Sequence, residues 1–232
     1  MATKTHEFAD AASLAKNLAE AVASVLKVAI AERGAATIAV SGGSTPKRFF
    51  KALSAHKLDW SKVTVTLVDE RFVPADNPRS NHLLVADNLL QGEAASARFL
   101  PLYHAAATAD EAAKLASTAI ASLPAPFDVV ILGMGNDGHT ASFFPGGDRL
   151  AEALSSGTPR GVITMEAEGA GETRLTLTFS SLHDARFLVL HIEGQAKKDT
   201  LENALADGEE KDMPVRAVLR RAATPVDVYW AP

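Results

Sequence analysis

The chain has 232 residues, 47% of them apolar and 22% charged, which fits an ordinary globular protein able to bury a core without covalent staples. It contains no cysteine, so disulfides, thiolate nucleophiles and cysteine-ligated zinc are excluded. A net charge of -5 and a pI near 5.8 argue against a general nucleic-acid binder, yet a few local Lys and Arg residues suffice for a small anion.

The N-terminus lacks a basic start followed by an apolar run, so no export signal is expected. Asp10 to Glu32 repeats apolar residues at helical spacing (Leu14, Leu18, Val22, Leu26), and Gly34 supplies a C-cap. Lys16, Glu20 and Lys27 interrupt that helix, so it is not a membrane span, and the expectation is a soluble, cytoplasmic protein. Ala36 to Val40 reads as a strand. Ser41-Gly42-Gly43-Ser44-Thr45 follows, with Thr45 as N-cap and Pro46 opening a helix. Val63 to Val68 is a strand leading into the loop Asp69-Glu70-Arg71 and a turn-rich segment. Ser80 caps a helix to about Leu90, Phe99 to Tyr103 is a short strand, and Thr108 with Glu111 forms a capping box for a helix to Leu123.

Phe127 to Leu132 is an apolar strand that breaks into Gly133-Met-Gly135-Asn-Asp137-Gly138-His139. A helix near Arg149 to Leu154 and a strand Val162 to Met165 follow. Arg174 to Phe179 alternates Leu and Thr, which suggests one wet face and hence an edge or antiparallel strand. Phe187 to Ile192 is a buried strand, Gly194 leads into a helix to about Ala206, and Val226 to Trp230 is a last strand. Arg216, Arg220 and Arg221 look like one solvated face of a short helix. The glycine and proline loops are too short for domain linkers, so residues 1–232 are expected to form one domain. Alternating strands and helices indicate an α/β fold: a mostly parallel doubly wound sheet with helices on both faces and some antiparallel edge strands. Ligands bind such sheets beyond the carboxyl ends of the strands, so the loops after Val40, Val68, Leu132 and Ile192 should converge.

Each of those loops carries a candidate chemistry. Gly43, Ser44 and Thr45 precede a helix N-terminus, where free amides and the helix dipole favour an anion; an empty capped turn is the bland alternative. Lys47 and Arg48 read as solvated charges. Gly133-x-Gly135-x-x-Gly138 matches the dinucleotide fingerprint, but Pro145-Gly146-Gly147 leaves no room for the helix that motif requires. The better reading is a loop lying against a ligand, with His139 as a base near neutral pH and Asp137 orienting it. No third ligand stands beside them for a metal. Arg71 offers a planar fork for phosphate or carboxylate, or pairs with Asp69 or Glu70. Lys197 sits in a helix first turn, where a cation makes most sense if an anion joins it; a solvated lysine beside Lys198 is the bland alternative. The remaining histidines, His191 among them, read as surface or core.

SGGSTP at 41–46, VDERFVPADNPRSN at 68–81, GMGNDGHTASFFPG at 133–146, RLTLT at 174–178 and GQAK at 194–197, in that order, resemble the 6-phosphogluconolactonase family, within the group that also holds glucosamine-6-phosphate deaminases. The resemblance implies hydrolysis of a phosphorylated sugar lactone, 6-phospho-D-glucono-1,5-lactone, without a cofactor or metal. It implies His139 as the base, phosphate binding by Arg71, Lys197, Ser44, Thr45 and their amides, and Arg174 facing the site. No nucleic-acid or membrane partner is expected, and the assembly is a monomer or small homo-oligomer. Asn136 fills the family's variable position, and Phe143 stands where the family often has Leu.

Overall fold

The computed structural model describes residues 3–232. Its strands are β1 (Lys4–Glu7), β2 (Ala36–Val40), β3 (Val63–Leu67), β4 (Asp69–Arg71), β5 (Arg98–Phe99), β6 (Val129–Leu132), β7 (Val162–Met165), β8 (Arg174–Leu177), β9 (Phe187–Glu193) and β10 (Val226–Ala231). The helices are α1 (Ala11–Arg33), α2 (Lys47–Ser54), α3 (Asn81–Asn88), α4 (Ala109–Ala121), α5 (Leu150–Leu154), α6 (Phe179–Leu182), α7 (Gln195–Leu205) and α8 (Val215–Arg221). None of the described helices is long and apolar enough to cross a membrane.

Seven strands form one sheet in the order β1-β10-β9-β6-β2-β3-β5, and every pairing in it is parallel. Successive residues of a strand point to opposite faces, so the complete burial of Ala36 to Val40 means that both faces are covered. Helix α1 packs against β2, β6 and β10 through Leu14, Leu18, Val22 and Leu26. Asp10 caps it by accepting from the Ser13 amide at 2.7 Å, and Gly34 ends it with φ 77°.

From β2 the chain builds outward to β3 and β5, then returns to place β6 on the other side of β2. The strand order reverses there. The loops after β2 and β6 therefore diverge and leave a crevice at the carboxyl edge, which is where such sheets bind ligands.

The antiparallel strands are not edges of this sheet. They form a separate sheet, β4-β8-β7. Asp69-Glu70-Arg71, expected as loop, is its β4. The expected wet face of Arg174 to Phe179 is also absent: β8 is buried along its length, with Thr176 fully enclosed. Glu70 explains how a charged triplet becomes a strand. Its carboxylate is fully buried and accepts from the amides of Arg71, Asn81 and His82 and from Ser80 Oγ, at 2.7–2.9 Å. Burial pushes this carboxyl up from its ordinary range, while the four donors pull the other way. At the start of α3 it also complements the helix dipole.

Three local expectations change. Helix α2 starts one residue later than expected, with Pro46 at the cap and no side-chain capping bond, so the Thr45 hydroxyl is not spent on capping. Thr108 accepts from the Glu111 amide at 3.2 Å, but the Glu111 carboxylate takes the Ala107 amide instead of closing the box. Of the α8 arginines expected as a solvated face, Arg220 and Arg221 are exposed and Arg216 is not. Arg216 is buried and donates to the carbonyls of Asn203, Ala204, Asp207 and Glu209, while Arg220 donates to Ala206 and Gly208. Both satisfy the end of α7 and the turn beyond it, where helix carbonyls lack internal partners. Arg221 reaches the Leu154 carbonyl and the Glu210 carboxylate, both at 3.0 Å.

Candidate active site

A cleft of about 270 Å³ opens at the carboxyl edge of the parallel sheet. Gly43, Ser44 and Thr45 after β2, Arg71 from β4, His139 after β6, Arg174 from β8 and Lys197 of α7 all line it. Asp137 stands behind His139. Each sequence-predicted site residue is thus brought to one place, by two sheets rather than one.

The loop after β6 is shaped by its own backbone. The Gly135 amide donates to the His139 carbonyl at 2.9 Å, and Thr140 Oγ1 donates to the Gly133 carbonyl at 2.7 Å. A Cβ on Gly135 would collide with both the His139 ring and the Asp137 carboxylate. Glycine is required there because the side chains of the pair fold back over it. No helix follows the glycines until Leu150, consistent with rejecting a dinucleotide fingerprint. The loop is pinned from outside by the Thr200 hydroxyl, 3.5 Å from the Asn136 carbonyl, and the Val215 amide, 2.9 Å from the Gly138 carbonyl.

Within the loop, Asp137 Oδ1 lies 2.6 Å from His139 Nδ1 and also accepts from the His139 amide at 3.1 Å. The hydrogen bond from His139 holds the Asp137 carboxyl at about 2, well below its ordinary value. An ionised carboxylate only accepts, so Nδ1 carries a proton, and in the neutral ring the lone pair is on Nε2. The His139 ring rests on Phe144, centroids 4.4 Å apart, and the Arg174 guanidinium lies 5.4 Å from that same Phe144 ring.

The positive groups are arranged around this pair. Pairing of β4 with β8 sets Arg71 opposite Arg174. The carboxylates nearest Arg71 are already engaged: Glu70 by its four donors, and Asp69 by Ser142 Oγ at 2.6 Å with Arg174 Nη1 at 3.7 Å. Arg71 instead donates to the Arg79 carbonyl. Arg174 donates to the Ala170 carbonyl at 2.6 Å; its burial lowers the guanidinium from its ordinary value, with Asp69 opposing. Lys197 is likewise lowered by burial, while Asp137 pulls the other way. Across the cleft, Gly42 packs against the Asn81 amide so closely that a Cβ there would overlap it.

Sequence reasoning missed Asn81, Asp69, Ser142 and His191. Asn81 donates to the Asp69 carbonyl at 2.9 Å and was legible only as part of the PRSN stretch. His191 lines the cleft from a strand that is apolar from Phe187 to Leu190, and no local pattern marks it. Arg48 is exposed as expected, yet it reaches Glu193 at 3.6 Å. Among the described residues no group of three His, Asp or Glu side chains is placed to hold a metal ion.

Fold and site together define an α/β protein with an anion-binding cleft at the switch point of a parallel sheet and a histidine–carboxylate pair inside it. A family model described as glucosamine-6-phosphate isomerases/6-phosphogluconolactonase matches residues 9–230. A 6-phosphogluconolactonase from Rhizobium meliloti (strain 1021) is 66% identical over 232 residues, covering 100% of both chains. One from Mesorhizobium japonicum is 56% identical over 225 residues, 97% of this chain and 94% of the relative. The crystal structure of a 6-phosphogluconolactonase from Shewanella baltica OS155 matches with a TM-score of 0.96 at 41% identity, covering 100% of this chain and 98% of that one. The chain belongs to the glucosamine-6-phosphate isomerase/6-phosphogluconolactonase family.

Proposed function

We propose that this protein hydrolyses 6-phospho-D-glucono-1,5-lactone to 6-phosphogluconate, with His139 as the general base for water. The reading is carried by one observation: a free imidazole nitrogen, backed by an ionised Asp137 at 2.6 Å, shares a cleft with Arg71, Lys197 and a glycine-rich anion loop. The 66% identity to a 6-phosphogluconolactonase points to the same substrate. Asp137 holds the ring by Nδ1, and Nε2 takes a proton from water as the oxygen attacks the lactone carbonyl. The tetrahedral adduct collapses with cleavage of the ring C–O bond, the leaving oxygen takes the proton held on Nε2, and the new carboxylic acid loses its proton to solvent, leaving a carboxylate and a sugar hydroxyl. Charge developing on the carbonyl oxygen requires donors, and the Arg174 guanidinium lines the same cleft. Arg71, Lys197, Ser44, Thr45 and the amides before α2 hold the phosphate. No metal or cofactor is assigned a step.

A lactone-hydrolysis assay corrected for spontaneous opening tests this on wild type and His139→Ala. The variant is expected to fold normally and to lose at least about a hundredfold in kcat, the usual worth of a general base. Unchanged turnover removes His139 from the mechanism. Release of ammonia from glucosamine 6-phosphate by the wild type would favour a deaminase instead. Binding of 6-phosphogluconate with no lactone turnover would mark a sugar-phosphate sensor.

A further inference from the structure

The cleft contains a second histidine–carboxylate pair that the proposed chemistry does not use. His191 of β9 lines the cleft and is 2% exposed. Its Nε2 lies 3.3 Å from Glu193 Oε1, yet both atoms are buried without a hydrogen-bond partner. Residues two apart on a strand share a face. That face looks toward α2: the His191 ring meets Phe49 edge-on at 6.0 Å, and Glu193 Oε2 lies 3.6 Å from Arg48 Nη1. Arg48 and Phe49 belong to the first turn of α2, directly after the glycine-rich anion loop. Gly194 and the first turn of α7, with Lys197, follow Glu193 in the chain. The pair therefore sits where the two elements assigned to the phosphate meet.

Buried polar atoms are almost always partnered, and leaving one unpaired is destabilising. The two orphaned atoms face each other, so the ring nitrogen left for a ligand is Nδ1. Glu193 cannot be the ligand contact itself, because a carboxylate facing a phosphate is repelled. With the ring doubly protonated, Glu193 accepts from Nε2–H while Nδ1–H donates to the anion.

We infer that His191 is a further substrate-binding residue, donating to the phosphoryl group of the bound sugar ester, with Glu193 as the acceptor that orients it and Arg48 holding Glu193 in place. The inference rests on the phosphate reading of this cleft and assigns His191 no part in proton transfer to or from water. It makes Glu193 a positioning residue and not a ligand.

The test is isothermal titration of 6-phosphogluconate and gluconate into wild type, His191→Asn and Glu193→Gln, with lactone kinetics on the same proteins. His191→Asn is expected to weaken 6-phosphogluconate binding about tenfold or more, the scale of one hydrogen bond to a charged group. KM for the phosphorylated lactone should rise in parallel while kcat changes about twofold at most, the signature of lost ground-state binding. Glucono-1,5-lactone should lose less than the phosphorylated substrate, and Glu193→Gln should shift affinity in the same direction by a smaller factor. Unchanged affinity in a folded His191→Asn protein overturns the inference. So does an equal loss with phosphorylated and unphosphorylated lactones, which marks a packing role. Should His191→Asn fail to fold, Glu193→Gln, which keeps the side-chain volume, decides alone: unchanged affinity rejects the pair. A wild type that binds 6-phosphogluconate but turns over no lactone overturns the lactonase reading and leaves this inference standing.

Discussion

Replacing Asp137 by Asn tests the histidine–carboxylate pair most directly, because it removes one charge and almost no volume. The bond to His139 Nδ1 is 2.6 Å long, and a hydrogen bond to a charged group contributes about 1.5–3 kcal/mol when shielded. The Asp137 side chain is 47% exposed, so solvent screening reduces that to about 1–2 kcal/mol. An asparagine can present its amide nitrogen to the ring as readily as its oxygen, which admits the tautomer with Nε2 protonated. The expected fall in kcat is about 5- to 30-fold, with KM for the phosphorylated lactone little changed near neutral pH. Asp137 also raises Lys197 against the effect of burial, so the variant should lose phosphate affinity at a lower pH than wild type does on the alkaline side. Stability carries a second signature. The His139 bond holds the Asp137 carboxyl at about 2, below its ordinary 3.8. A depressed acid contributes stability above its unfolded value and loses it as pH falls through the folded one. The gap between wild type and variant should therefore be constant above about pH 4 and shrink toward about pH 2. Steady-state kinetics from acid to alkaline pH and urea melts over the acid range check both. A wild-type kcat in Asp137→Asn refutes the orienting role, and a KM rise at constant kcat reassigns Asp137 to binding.

Three further outcomes follow from individual contacts. Gly135→Ala places a Cβ against the His139 ring and the Asp137 carboxylate, so kcat should fall about tenfold or more while circular dichroism stays native; wild-type turnover rejects the close approach. Glu70→Gln introduces a donor where four donors already converge and should cost about 2–3 kcal/mol, read as a lower urea midpoint; an unmoved midpoint shows that the buried carboxylate does not anchor β4. Lys197→Ala should raise KM for the phosphorylated lactone about tenfold and leave glucono-1,5-lactone unaffected, while an equal rise for both rejects Lys197 as a phosphate ligand.

The parallel strands could be read from sequence because a strand covered on both faces is a nearly continuous apolar run, as in β2, β6 and β9 as far as Leu190. Once strands alternate with helices, the carboxyl-edge rule gathers their loops without further information. What could not be read is held by partners distant in sequence. Strand β4 is entirely charged, so neither alternation nor propensity marks it; pairing with β8 and the donors on Glu70 create it. Strand β1 is largely exposed and exists because it pairs with β10. Arg216 carries the same letter as a solvated arginine, and only the carbonyls at the end of α7 make its burial affordable. His191 fails for the complementary reason, since a polar residue at the end of an apolar run looks the same whether it meets core or ligand. Local patterns report an element's faces; they do not report which distant backbone satisfies a buried charge.

That distinction also bears on how the ester is opened. A covalent route needs a hydroxyl activated by the base, and the structure offers none in that relation. Ser142 is fully buried and donates to Asp69 at 2.6 Å, and the hydrogen-bonded partner of the His139 ring is Asp137, at 2.6 Å. The hydroxyls of Ser44 and Thr45 belong to the loop after β2, assigned to the phosphate, whereas the base belongs to the loop after β6. In the proposed assignment the phosphate anchors the substrate on one side of the switch point and the lactone carbonyl faces the other, where the partly exposed His139 imidazole would meet solvent water rather than a protein nucleophile. The separation of anchor from base, set by where the strand order reverses, is what makes direct hydrolysis the economical chemistry for this cleft.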